Sequence, residues 1–277
     1  MDPVMRNIAT SQTATHLRAG PSTLEAVGGG VSGRLATAHE VRTVVAALMG
    51  SIVVIGLVLI GSGLLVTHVL AHGLIGHWDG QTNGWLAHHR DSFLNTATSD
   101  LTQLGDSTTV VIIGAIATAV GLLLRWGRRV LLLLFGLTIE LSDFLVSNYT
   151  VQRPRPSVHM GITPSTFSWP SGHTAAILVL YGGIALLVMV STRSTFLRIS
   201  AWTLAVGLTL SVAFARVYRG DHHPTDAIAG MALGVLALCA AVFVLRTWSA
   251  SIDMRRRSAD AANRLATTSP KRIAVDH

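Results

Sequence analysis

Apolar residues in this chain gather into long, sparsely charged blocks, with neither the strict alternation of a strand nor the narrow stripe of an amphipathic surface helix. Residues 44–70 contain no Asp, Glu, Lys or Arg, and that length exceeds the ~20 residues needed to cross ~30 Å of hydrocarbon. A buried soluble helix is the alternative, but such helices rarely run so far. Five further blocks, at 108–124, 130–148, 174–190, 199–217 and 225–245, bring the predicted transmembrane helices to six. The expected fold class is an all-α membrane protein. Inside the third block Glu140 and Asp143 stand three apart on one helix face, where an ionisable group is either functional or paired with another helix.

The flanks read differently. Residues 1–41 are rich in Ser, Thr, Ala and Gly without a sustained period, and no hydrophobic core follows the first residues as a secretory signal requires. They are expected to form a flexible cytoplasmic tail, residues 42–247 the six-span domain, and residues 248–277, with Arg255, Arg256 and Arg257, a basic cytoplasmic tail. The connector 71–107 carries Trp78, Trp85, Phe93 and Leu94 among acids and histidines, which suits a segment anchored at the membrane interface.

An even number of spans puts both termini on one side. Sixteen of the 21 Lys and Arg residues lie in the two tails, at their junctions with the spans (Arg42 and Arg246), and in the connectors around Arg125–Arg129 and Arg193–Arg198. Arg90, Arg153, Arg155, Arg216 and Arg219 make up the opposite face. Cytoplasmic loops carry the basic excess, so the termini are expected inside, and the connectors after the first, third and fifth spans outside.

Composition agrees with a membrane protein: half the residues are hydrophobic and 13% are charged. The net charge of +7 is explained by topology, and no basic stripe interleaved with aromatics points to nucleic acid. Cys239 is the single cysteine, so no internal disulfide forms, and it reads as a small core residue. His68, His72, His77, His88 and His89 cluster in or near the first outward connector but lack the carboxylates and spacing of a metal site. No metal or cofactor is expected.

Three polar groups interrupt the apolar pattern, and all fall on the outward side. Arg153-Pro154-Arg155-Pro156 follows the third span; the prolines hold it extended and present two guanidiniums suited to phosphate, or to snorkelling at the interface. Pro170-Ser171-Gly172-His173 opens the fourth span, offering free N–H groups and the positive end of a helix dipole to an anion; a plain Ser cap is the alternative. Arg216, His222 and Asp226 bracket the start of the sixth. Here a carboxylate four residues behind an imidazole would fix its tautomer, or simply cap a helix beside a surface His. Convergence of all three groups from separate spans favours a phosphate site.

These residues resemble the signature of the type 2 phosphatidic acid phosphatase (PAP2) superfamily, K-x6-R-P, P-S-G-H and S-R-x5-H-x3-D. The second block is complete at Pro170 to His173, the third matches at Arg216, His222 and Asp226, and the first at Arg155 and Pro156. Asn148 stands where the family has Lys, and Ala215 where it has Ser. The resemblance implies a six-helix membrane architecture around the helical core shared with vanadium haloperoxidases. It implies His222 as the nucleophile forming a phosphohistidine, Asp226 orienting it, and His173 as general acid and base. Arg155, Arg216, Ser171 and Gly172 would hold the phosphate oxygens, with Asn148 at the lysine position and Arg153 as a further source of charge. Arginines would then supply the charge that Mg²⁺ supplies in other phosphatases.

A site on the outer membrane surface reads a lipid phosphate. A polyprenyl diphosphate is the first expectation, phosphatidic acid or phosphatidylglycerol phosphate the next. A lipid-binding or transport protein with a weakened site is the alternative class; the oligomeric state is left open.

Overall fold

The computed structural model describes residues 23–161 and 165–268. The chain divides at His39: Met1–His39 is one unit, and Glu40–His277 holds the rest of the fold. The described residues form α1 (Thr23–His68), α2 (Leu74–His88), α3 (Ser92–Gln103), α4 (Ser107–Leu123), α5 (Leu131–Val151), α6 (Gly172–Ser191), α7 (Thr195–Tyr218) and α8 (Pro224–Thr268), with short 3₁₀ turns before α2 and α5 and no strand among them. Five helices are long and apolar enough to cross a membrane. A sixth candidate span is the pair α3 and α4, bent by 52° at its break.

The second predicted span thus differs from the expectation. α4 alone has 17 residues, about 26 Å at 1.5 Å per residue, so it needs α3 to complete a crossing. The connector 71–107 is almost wholly helical in α2 and α3, with Trp78, Trp85 and Phe93 exposed.

The tails differ too. Helix α1 is already formed at Thr23, where a flexible tail was expected, and α8 continues to Thr268 through most of the basic tail. No proline lies between Pro21 and the first span or between Pro224 and Pro270, and Ala and Arg dominate the far end of α8. A helix leaving the bilayer therefore meets no stop signal. Asp253 to Leu265 are exposed, as a solvated segment should be. The remainders of the two predicted tails, 1–22 and 269–277, lie outside the described residues.

Ile55 and Leu59 of α1, Ile139 of α5, Ala175 and Val179 of α6, and Leu233, Ala237 and Leu238 of α8 form the main core. Outside it lies a sheath of exposed Val, Leu, Ile and Phe, including Val53, Leu57, Leu122, Phe196 and Phe243, which is the surface of a bundle facing lipid. Cys239, expected in the core, sits on that exposed face, where a small weakly polar thiol is at home. Arg255 of α8 pairs with Glu40 of α1 at 3.3 Å, so the two helices have these ends on one side of the bundle. Close approach of α8 to the α6 entrance depends on Gly230, where a Cβ would lie 2.4 Å from the Ser171 carbonyl oxygen.

Candidate active site

The residues that carry chemistry meet at one end of the bundle, where α5 ends, α6 begins, and α7 passes into α8. A left-handed residue, Gln152 at φ 53°, stops α5 and turns the chain into the Arg-Pro repeat. Asn148, fully buried in the last turn of α5, then clamps the incoming 165–171 segment. Its amide donates to the carbonyls of Phe167 (2.8 Å) and Trp169 (2.9 Å) and accepts from the Phe167 N–H at 3.0 Å.

His222 lies in the connector between α7 and α8, 2% exposed. Its Nδ1–H donates to the Ser168 carbonyl at 2.7 Å. A carbonyl only accepts, so the neutral ring must carry its proton on Nδ1 and keep the Nε2 lone pair. The Asn83 amide holds the His222 carbonyl at 3.1 Å. Burial first, and the positive charges of Arg216 and Arg155 next, hold the His222 pKa well below its ordinary 6.5, against a smaller opposing effect of the Ser168 carbonyl. A neutral, oriented imidazole is the form a nucleophile requires.

Asp226 is placed differently from expectation. It lies 4.0 Å from His222 Nδ1. Its oxygens instead take the Ser168 hydroxyl, the His223 N–H at 2.8 Å and Arg153 at 2.5 Å. Asp226 therefore reaches His222 only by way of Ser168, whose backbone carbonyl is nearer the ring than the carboxylate is.

Arg153, expected as phosphate-binding charge, is 4% exposed. Its guanidinium is occupied by Asp79 of α2 (2.7 Å), Asp226 and the Thr225 hydroxyl (2.7 Å). Asp79 also receives the Thr225 N–H and hydroxyl. This buried network fixes the start of α8, and its cation is already neutralised.

Arg155 remains available. Its guanidinium is steered by the carbonyls of Thr166, Phe167 and Asp221 and by the Thr166 hydroxyl. Burial lowers its pKa somewhat, offset by the nearby Asp221 and Asp226 carboxylates. Arg216 is held to Asp221 at 2.9 Å, while its Nε is a buried donor without a partner among the described residues, ready for an incoming oxygen.

Arg155, Arg216, His222, Gly172 and His173 line one cavity of about 310 Å³. His223 and Arg153 are not part of that lining. Nor is Ser171, whose hydroxyl, expected on phosphate, is buried against Thr174 at 3.0 Å; Asn148 likewise spends its amide on the loop. The cavity continues between α4, α5 and α6 along Val110, Val111, Leu137, Glu140, Leu141 and Phe144. Val111 and Leu141 are also exposed on the lipid-facing surface. One end of the cavity is therefore cationic and the other is apolar and next to lipid.

Residues 129–250 match the PAP2 superfamily, and phosphatidylglycerophosphatase B of Bacillus subtilis is 31% identical over 159 residues, 53% of this chain and 73% of that protein. The chain belongs to the PAP2 superfamily. Undecaprenyl-diphosphatase of Sulfolobus acidocaldarius is 32% identical over 126 residues, 42% of this chain and 56% of that protein. The crystal structure of a transmembrane PAP2 type phosphatidylglycerolphosphate phosphatase from Bacillus subtilis matches with a TM-score of 0.59, covering 69% of this chain and 92% of that one. At 24% identity it is a likeness of fold. This PAP2 protein is accordingly a multi-pass membrane phosphatase. Residues outside the motifs also hold the cluster together: Asp79 and Asn83 of α2, Ser168 and Asp221. Asp221 stands between Gly220 and His222 within the third motif, and Asp79 is the one acid in 71–90; these were the signals available.

Proposed function

We propose that the chain hydrolyses the terminal phosphate of a membrane lipid phosphate through a phosphohistidine on His222. One observation carries this: a buried neutral imidazole, two arginines and the α6 N-terminus share a cavity whose other end is apolar and borders the lipid-facing surface. His222 Nε2 attacks phosphorus, and the bond to the leaving oxygen breaks as His173 protonates that oxygen. His173 then takes a proton from water, which displaces the histidine. Arg155, Arg216 and the Gly172 N–H hold the oxygens on which charge builds. Ser168 and Asp226 orient the nucleophile; Asn148, Arg153 and Ser171 brace the frame.

The basic excess of the tails supports a plasma-membrane orientation with the site facing outward. For the lipid, a polyprenyl diphosphate is the first candidate, supported by the relative named undecaprenyl-diphosphatase. A glycerolipid phosphate is the second, supported by the relative named phosphatidylglycerophosphatase B. Purified protein in vesicles is assayed for phosphate release from undecaprenyl diphosphate, phosphatidylglycerol phosphate and phosphatidic acid. The expected result is turnover that His222→Ala abolishes. Binding without turnover of any of the three, or a fully active His222→Ala protein, overturns the reading.

A further inference from the structure

Asp106 occupies the N-cap position of α4, where an Asp ordinarily accepts a hydrogen bond from the first-turn N–H groups. It makes no such bond. Asp91, at the N-cap of α3, does: it accepts from the Leu94 N–H at 2.9 Å. The Asp106 carboxylate is turned instead to His173, whose Nε2 it meets at 2.9 Å. The approach is permitted by its neighbour. A Cβ on Gly105 would lie 3.0 Å from the His173 Cβ and 3.1 Å from Cδ2, so the backbone at the α3–α4 break is laid directly against the imidazole. Gly105 itself lines the phosphate cavity. A lost cap and a glycine contact thus point to the same ring.

We propose that the α3–α4 break is a working wall of the active site, with Asp106 as a positioning residue for His173. The assignment rests on the acid–base role given to His173 above. Because a carboxylate accepts, His173 carries a proton on Nε2 directed at Asp106, and Nδ1 is left for the reacting oxygens. The ring enters the first step protonated on both nitrogens, its Nδ1 proton having come from the phosphate monoanion of the incoming substrate; the P–O electron pair then passes to the leaving oxygen, which takes that proton. In the second, Nδ1 takes a proton from water as the water oxygen bonds to phosphorus, and the N–P electron pair returns to His222. Throughout, the Nε2 proton stays on the ring. Asp106 keeps the ring from rotating and balances its positive charge whenever both nitrogens are protonated. Its side chain is 52% exposed, so water screens part of that charge and the effect is smaller than for a buried carboxylate.

The test uses the full chain in lipid vesicles and compares wild type with Asp106→Asn, Asp106→Glu, Gly105→Ala and the control Asp100→Asn, an exposed acid of α3. Each is assayed on a lipid phosphate and on p-nitrophenyl phosphate, whose leaving group departs without protonation. For the lipid, Asp106→Asn is expected to lower kcat about 10- to 100-fold with KM little changed, and Asp106→Glu to recover part of the loss. With p-nitrophenyl phosphate, the nitrophenol burst stays fast while phosphohistidine accumulates and is trapped by alkaline quenching, since only water activation still needs His173. Gly105→Ala is expected to slow kcat by displacing the ring while leaving the carboxylate in place. The burst-to-turnover ratio is read within one preparation and does not depend on how much protein folds. Wild-type kcat in Asp106→Asn, or equal slowing of burst and turnover, overturns the proposal. An inactive wild type would sink the phosphatase reading itself, and this one with it.

Discussion

Asp226 stands 4.0 Å from the Nδ1 atom of His222 and is linked to it at one remove: the Ser168 hydroxyl donates to Asp226, and the Ser168 carbonyl accepts a hydrogen bond from His222 Nδ1–H. Replacing Ser168 by Ala deletes the hydroxyl and keeps the carbonyl. Ser168→Ala should therefore slow turnover by about tenfold or less, within the net value of one hydrogen bond. Asp226→Asn also uncouples Arg153, a buried ion pair, and should destabilise the fold by about 3 kcal/mol. Initial rates alongside thermal melts in one detergent separate the two. Equal loss of rate in both variants with unchanged melting would contradict the indirect arrangement.

Two arginines separated by one proline have opposite fates. Arg153 is neutralised by Asp79 and Asp226, so Arg153→Ala should cost about 3–5 kcal/mol of stability. Arg155 faces the cavity and is tethered only to neutral oxygens. Arg155→Ala should lower kcat/KM about 10²- to 10³-fold, as for other donors that meet developing charge, at a stability cost nearer 1–2 kcal/mol. Denaturant titration and steady-state kinetics on both proteins check the contrast, and a reversed order would refute it.

That contrast marks how far the sequence was legible. Spans and motifs were readable because lipid imposes length and apolarity on a helix, and phosphate chemistry imposes residue types at fixed gaps. The partners of those residues were not. Nothing local distinguishes Arg153 from Arg155; the difference arises because α2 brings Asp79 under the α5–α6 connector. Asn148 looked like a missing cation at the family's lysine position, yet its three bonds to the loop backbone depend on where residues 167–169 fold back. The α3–α4 break escaped for the same reason: a 17-residue apolar block reads as one short span, and only the fold brings Gly105 of the break against His173.

The protonation of His222 sets a pH dependence with a definite sign. Burial, then Arg216 and Arg155, keep the folded ring from protonating until well below 6.5, whereas an unfolded chain titrates near 6.5. Below 6.5 the unfolded state binds the extra proton, so this group's contribution to stability falls as pH drops and is restored as pH rises through 6.5. For catalysis, the lone pair persists, and His222 places no acid limb at 6.5 on kcat/KM. Arg155→Gln removes one of the charges opposing protonation and should move the acid limb upward. Profiles of kcat/KM from about pH 4.5 to 8 on wild type and variant measure this; a limb that shifts downward would exclude the electrostatic account.

Glu140 offers the sharpest separation of stability from activity. It is 4% exposed, lies within a span and lines the apolar end of the cavity beside Leu137, Leu141 and Phe144. Phe144, one turn further along α5, packs on Gly172, so the carboxyl sits about 6 Å deeper than the phosphate-holding helix end. A lipid held by its phosphate would place there the linkage between headgroup and tail. Burying a carboxyl among aliphatic side chains is unfavourable, so Glu140→Leu should stabilise the fold by about 1–3 kcal/mol. The same change should lower kcat/KM on a glycerolipid phosphate several-fold, the order of one hydrogen bond, and affect p-nitrophenyl phosphate less, because that substrate has no glycerol linkage for the carboxyl to bond. Paired melts and assays on the two substrates decide it: a more stable protein with both activities intact would leave Glu140 no part in reading the lipid.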